Sequence, residues 1–444
     1  MTLLESKSLI GKLLRFTKNP KPYFLKLKQD LLEKVWAMKI YHRLMLPLIV
    51  FRVRHKKRIN VVFLAMSPDM WKYDDVYRKL AEDVRFNPVI VTAMRNITNM
   101  DVRLQEQEIM VDYFAKRGFN VIRGYDTVAK KWIELNNLAP DIIFYTQPYN
   151  GVIEHSLEYY NFLGCLHCYT PYSFQYGEID WEWNNTLQQY CWRLFYVNES
   201  NLQLCKKYSR IGVANARAVG YSLEEEYVAA VKDINTANMA WKNDKRKRVI
   251  WAPHHSIMEH EMLKVSSFLE IADQMVKLRD EYKDRVVFAF KPHPVLKVKL
   301  YQIWGKEKTD RYYNDWADAE NAFDAQGDYK ALFAGSDAMI HCSGSFIVEY
   351  LYTGKPVAYV YSKVRNPPLF GVVGNSALDA HYPMHDEADI RRFIDDVVLG
   401  DHDTMSDIRK SVADKYLRSP NGKMFSENVY ESILEGLGKK CPTR

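Results

Sequence analysis

Two serines around a glycine, Ser343-Gly344-Ser345, follow the apolar run Ala338-Met339-Ile340 and precede Phe346 to Tyr352, where apolar residues recur at helical spacing. A strand, turn and helix in that order aim unpaired backbone N–H groups, hydroxyls and the positive end of the helix dipole at one point, which is an arrangement that holds phosphate oxygens. Glu349, one helical turn past Ser345, is placed to take the two hydroxyls of a ribose, so the expectation is a nucleotide-diphosphate site. Trp251-Ala252-Pro253-His254-His255-Ser256-Ile257 and Lys291-Pro292-His293-Pro294 also leave apolar runs. All three segments fall at the carboxyl edge where open α/β sheets bind ligands. The prolines restrict the backbone around His293, so Lys291 and His293 can be held ready to neutralise phosphate oxygens, with His254 or His255 facing the same cleft. His254, His255 and His293 lack a neighbouring carboxylate pair, and no protein-held metal or other cofactor is expected.

The elements that must position these residues alternate. Apolar strands at 59–65, 88–92, 120–122, 141–145, 165–169 and 193–197 are separated by helical patterns such as Tyr73 to Ala81 and Val102 to Arg117. A polar stretch from Asp233 to Arg248 interrupts the series, which restarts with Val249 to Ala252, a helix from Met262 to Leu278, and strands at 286–290, 338–341 and 357–361. Strands joined by helices imply right-handed crossovers and parallel sheets. The expected architecture is α/β: two doubly wound Rossmann-like domains facing a cleft, at 59–235 and 236–444, the helices after Asp386 covering the second sheet.

A chain of 444 residues carries a net charge of +7, and residues 1–58 hold fifteen Lys or Arg against three acids. That local excess of twelve leaves the rest of the chain at −5, so the basic character belongs to an N-terminal helical arm. There Phe16, Tyr23, Phe24 and Trp36 alternate with Lys12, Lys21, Lys26 and Lys39, a mixture suited to an anionic membrane surface rather than to nucleic acid. No apolar run is long enough to span a bilayer and the start does not read as a secretory signal, so a cytoplasmic protein attached peripherally to the membrane is expected. Six cysteines without framework spacing read as reduced thiols, Cys165 and Cys168 among them as buried strand residues.

Taken together, Trp-Ala-Pro-His-His-Ser-Ile, Phe-Lys-Pro-His-Pro and the run from Ser336 to Val357 resemble the CDP-glycerol glycerophosphotransferase family of teichoic-acid and capsule synthesis. So does Trp71-Lys72-Tyr73-Asp74-Asp75-Val76-Tyr77, and the likeness covers about residues 60–435. It implies a GT-B fold, a CDP-linked polyol donor on the C-terminal domain, a polysaccharide or lipid-linked acceptor on the N-terminal side, and CMP as leaving group. By position it makes His293 an active-site histidine, and Ser343, Ser345 and Glu349 donor-binding residues. The family's general-base histidine has no counterpart: Tyr169 stands there, and a tyrosine of ordinary pKa near 10 is a poor base at neutral pH. His167, Glu178 and Asp180 are the nearby alternatives. A GT-B sugar transferase would share the diphosphate turn, and a non-catalytic membrane-surface adaptor would bind no nucleotide.

Overall fold

A computed structural model describes residues 21–261, 264–325, 329–364 and 370–441. The first twenty residues of the basic arm and Met262, the expected start of a helix, lie outside the described residues.

Runs of β-branched and aromatic residues, buried on both faces, form the strands of two parallel sheets, as sheets covered by helices on each side require. The first holds β1 (Ile59–Ala65), β2 (Phe86–Thr92) and β3 (Val121–Ile122); a small hairpin, β4 (Tyr125–Asp126) and β5 (Lys131–Trp132), follows outside it. It continues with β6 (Ile142–Tyr145), β7 (Leu166–Tyr169), β8 (Arg193–Tyr196) and β9 (Ala216–Ala218), in the order β3-β2-β1-β6-β7-β8-β9. The second comprises β10 (Lys247–Ala252), β11 (Val286–Phe290), β12 (Ala322–Asp324), β13 (Ala338–His341), β14 (Val357–Val360) and β15 (Tyr382–Met384), ordered β12-β11-β10-β13-β14-β15. The strand order reverses between β1 and β6 and between β10 and β13, and such switch points open a crevice at the carboxyl edge.

Two expectations need correction. The last helix, Phe425–Gly436, does not cover the second sheet: Phe425, Val429, Ile433 and Leu434 are buried in the core of the first domain. The second domain therefore does not run unbroken to the C-terminus, because the chain crosses back. The basic arm is also only partly an arm. Helices Val35–Ile40 and Leu46–Arg54, joined by a π-turn at Tyr41–Met45, bury Met38, Tyr41, Leu46, Ile49 and Val53 in the same core. Trp36, Leu44, Leu48 and Phe51 face outward instead, at 56%, 63%, 69% and 62% exposure. Their three-, four- and eight-residue spacings make one apolar stripe along the helix surface.

The helix expected from Met262 begins at Phe268. Just before that helix the Ser256 hydroxyl accepts the backbone N–H groups of Val265 (3.2 Å) and Ser266 (3.2 Å), which therefore do not enter a helical ladder. The five described cysteines up to Cys342 are buried free thiols, and Cys441 is exposed.

Candidate active site at the carboxyl edge of the second sheet

Register brings the three segments together. Ala252 pairs with His341 and Trp251 with Phe290, so the loops after β10, β11 and β13 leave the sheet at one level. The backbone N–H of His293 then donates to Pro253 O at 3.0 Å, tying the loop after β11 to the loop after β10. As a result the imidazole centroids of His255 lie 4.2 Å from those of both His254 and His293, and His254 lies 5.4 Å from His293. Lys291 is buried beside them.

Hydrogen-bond partners assign the protons. The Ser256 hydroxyl, already accepting two N–H groups, donates to His254 Nδ1 at 2.9 Å, and the Ser256 N–H reaches the same atom at 3.2 Å. His293 caps the helix Pro294–Ile303, its Nδ1 accepting the Val295 N–H at 3.2 Å. His255 Nδ1 accepts from the Lys299 ammonium at 2.7 Å, and Lys299 also pairs with Glu261. Each Nδ1 is thus an acceptor, which leaves the hydrogen of each neutral ring on Nε2. Burial, followed by neighbouring positive and imidazole groups, keeps all three rings neutral: it takes His293 down to about 3 and lowers His254 and His255. One ring nitrogen from each of the three lies within 4.8 Å of the others, a spacing a metal ion could use. With each Nδ1 already accepting, the Nε2–H groups are left to donate to an anion.

The Ser-Gly-Ser turn is equally fixed. His341 Nδ1 accepts the Ser343 N–H at 3.1 Å; its Nε2–H points to His381 Nε2 at 3.1 Å, and His381 Nδ1–H donates to Ala377 O at 2.7 Å. Ser343 is buried, and Ser345 spends no side-chain hydrogen bond on capping its helix. The other domain approaches Gly344 closely, since a Cβ there would sit 2.3 Å from Tyr176 Oη and displace that side chain. The loop carrying Tyr176 continues the crossing, with Gly177 bridging Phe370 and the Gly371 N–H donating to Tyr176 O at 2.9 Å.

Glu349 is 3% exposed, with Oε1 accepting the Tyr221 hydroxyl at 2.8 Å and Oε2 the Tyr329 hydroxyl at 2.9 Å. Burial raises its pKa, while Lys72 and the two tyrosines oppose the rise. Any ligand hydroxyl reaching this carboxylate would share it with two tyrosines.

Of the acceptor-side candidates, Glu178 lies on the loop that reaches the second domain, its Cβ 3.7 Å from where a Cβ at Gly371 would sit. His167 is fully buried in β7 against Tyr145 and Tyr159, and burial takes it down to about 3. Tyr169 is buried, with its pKa pushed well above the usual tyrosine range. Glu178 pairs with Lys207 near the surface, which lowers its pKa, and Asp180 is exposed on a short helix. Sequence reasoning missed Glu182, on the same helix, Asp180–Trp183. Its Oε2 is buried without a hydrogen-bond partner among the described residues, a Cβ at Gly177 would lie 3.5 Å from its Oε1, and burial pushes its pKa up to about 7. Glu182 is thus a half-buried residue with one unsatisfied carboxylate oxygen, next to the loop that reaches the second domain. Aromatics interleaved with three acids, Glu178, Asp180 and Glu182, between Tyr176 and Trp183 were the signal available.

No family model and no curated protein matches the chain. Solved structures do. A variant of the wall teichoic acid polymerase TagF matches with TM-score 0.56 at 12% identity, over 97% of this chain and 97% of that one. The same variant soaked with CDPG gives 0.55 at 14% identity, also over 97% of each chain. The UDP-GlcNAc 2-epimerase of Neisseria meningitidis bound to UDP-GlcNAc gives 0.53 at 11% identity, over 85% of this chain and all of the other. This is a GT-B fold. In GT-B terms the histidine cluster and the Ser343 turn lie on the C-terminal domain, at its switch point, and Tyr176 and Glu182 come from the N-terminal domain.

Proposed function

We propose that the chain transfers a polyol phosphate from a CDP-linked donor to a hydroxyl of a polysaccharide or lipid-linked acceptor and releases CMP. The observation that carries the reading is the set of three Nε2–H donors beside Lys291, at the edge where the Ser343 turn can hold the second phosphate. A phosphoryl group in transfer needs positioning and charge neutralisation on its own oxygens more than covalent chemistry. The CDPG-soaked relative of this fold supports the choice of nucleotide.

In this scheme the acceptor hydroxyl gives its proton to Glu182, its oxygen bonds to the phosphorus next to the polyol, and the bond from that phosphorus to the CMP oxygen breaks. His254, His255, His293 and Lys291 hold the non-bridging oxygens throughout, and the scheme draws on no protein-held metal. Incubation with CDP-glycerol should release CMP and leave phosphorus in the product. Release of a nucleoside diphosphate from a UDP-sugar would instead support a sugar transferase, which the UDP-GlcNAc-bound neighbour favours. If CDP, CMP and UDP all fail to raise Tm, the adaptor reading replaces both, because a ligand of the native state must stabilise it.

For the arm, we propose that the stripe of Trp36, Leu44, Leu48 and Phe51 rests on an anionic membrane surface at the cytoplasmic face, with Lys39 and Arg43 beside it. Among the described residues no helix is long and apolar enough to cross a membrane. Residues 35–54 belong to the core, so deleting them would damage the fold. The test is Leu44→Ser, Leu48→Ser and Phe51→Ser together, which should weaken binding to anionic vesicles by roughly tenfold or more, given about 25 cal/mol per Å² of apolar surface transferred. Unchanged vesicle affinity would remove the membrane from this account.

A further inference from the structure

A cavity of about 840 Å³ lies between the helix Leu46–Arg54 and the first domain. Its wall carries Lys39, Arg43, Arg193 and Arg210 and no acidic residue. Among the described residues Lys39 and Arg43 have no carboxylate partner. Arg193 is buried, stacked over Trp192 at 4.9 Å, with one hydrogen bond from Nε to Ser432 O at 3.4 Å. Arg210 is braced by Asn184 Oδ1 (2.8 Å) and Glu33 O (3.0 Å).

The same wall offers two acceptors. Asn215 donates through Nδ2 to Gln188 O and Cys191 O, and its buried Oδ1 has no partner. His42 Nε2 meets Gln189 O at 2.8 Å, so it carries the hydrogen and Nδ1 is left to accept; burial keeps the ring neutral. Cations beside lone acceptors fit a phosphodiester that bears hydroxyls. Leu46, Pro47 and Val50 complete the lining, and Leu44, Leu48 and Phe51 of the outward stripe lie on the same continuous helix.

We propose that this cavity binds the headgroup of one anionic glycerophospholipid of the phosphatidylglycerol type, its phosphate on Arg43, Arg193 and Arg210 and its headgroup hydroxyls on Asn215 Oδ1 and His42 Nδ1. The acyl chains then leave along the exposed stripe. The proposal rests on the reading of the arm as membrane-facing, and makes that contact a lipid-specific site rather than a diffuse attraction. Free polyol phosphate shares the headgroup chemistry, and the stripe is what favours the lipid.

The test uses the full chain and dihexanoyl phosphatidylglycerol below its micelle concentration, with binding read by thermal shift and by tryptophan fluorescence, which Trp192 supplies. Saturable binding is expected, and Ala214→Glu, at an exposed position on the cavity wall, should weaken it by roughly fivefold or more while leaving the CMP-dependent rise in Tm unchanged. Arg43→Ala should weaken it in the same direction. Absence of saturable binding, or indifference to both substitutions, overturns the site even if anionic vesicles still bind. Equal protection by glycerol phosphate alone overturns the lipid assignment. Failure of the membrane reading looks different: the serine-substituted stripe would bind vesicles like the unchanged chain.

Discussion

Glu182→Gln should lower kcat by roughly 10²–10⁴-fold while leaving the Tm rise produced by CMP unchanged, because it removes a proton acceptor and not a donor contact. Gln keeps the volume and the buried position, so loss of fold is not a competing explanation. The pH profile gives an independent check. Burial raises this carboxyl to about 7, and only the ionised form accepts a proton, so kcat/KM should fall as pH drops through that value. The limb should be absent from the residual activity of Glu182→Gln. Glu158 provides the control: it too is pushed up to about 7 by burial, but its Oε1 accepts the Gly151 N–H at 2.6 Å. If Glu158→Gln removes the acid limb and Glu182→Gln does not, the base is misassigned.

Glu182 was hidden for a physical reason, and the contrast with the histidine side is instructive. His254, His293 and Ser343 each stand within a few residues of a strand whose apolar run is unmistakable, and parallel register then carries them to one edge without further information. Glu182 lies in a loop and a four-residue helix, where no periodicity reports which side chains are buried. Its burial comes from how this loop packs around Gly177, Gln175 and Gln188 on the first domain, which local spacing does not encode. The helix Phe425–Gly436 escaped for a related reason. Its apolar face was legible, but amphipathicity says only that a face will be covered, and here the first core covers it. Short strands at the sheet edges, such as Ala216–Ala218 and Tyr382–Met384 with its Pro383, carry too few apolar residues to register. The arm shows both outcomes at once: its basic aromatic character was plain, while its second apolar face became visible only when Met38, Ile49 and Val53 were found in the core.

His293→Ala should lower the rate of transfer by roughly 10²–10³-fold, the usual effect of removing one preorganised donor from developing negative charge. This substitution does two things that must be separated. His293 also caps a helix through Nδ1, and loss of an N-cap costs about 0.5–2 kcal/mol of stability. His293→Asn supplies an acceptor at the cap and no imidazole N–H in the cleft. It should therefore recover most of the lost stability, read as Tm without nucleotide, and recover little of the rate. Parallel recovery of both would mean that His293 acts only by holding the loop, and the anion cradle would then rest on His254, His255 and Lys291. Recovery of Tm alone places the Nε2–H of His293 on the phosphate, where the neutral ring is the form required. Since that ring stays neutral down to about pH 3, the contribution should not change between pH 6 and 9, in contrast to the limb assigned to Glu182.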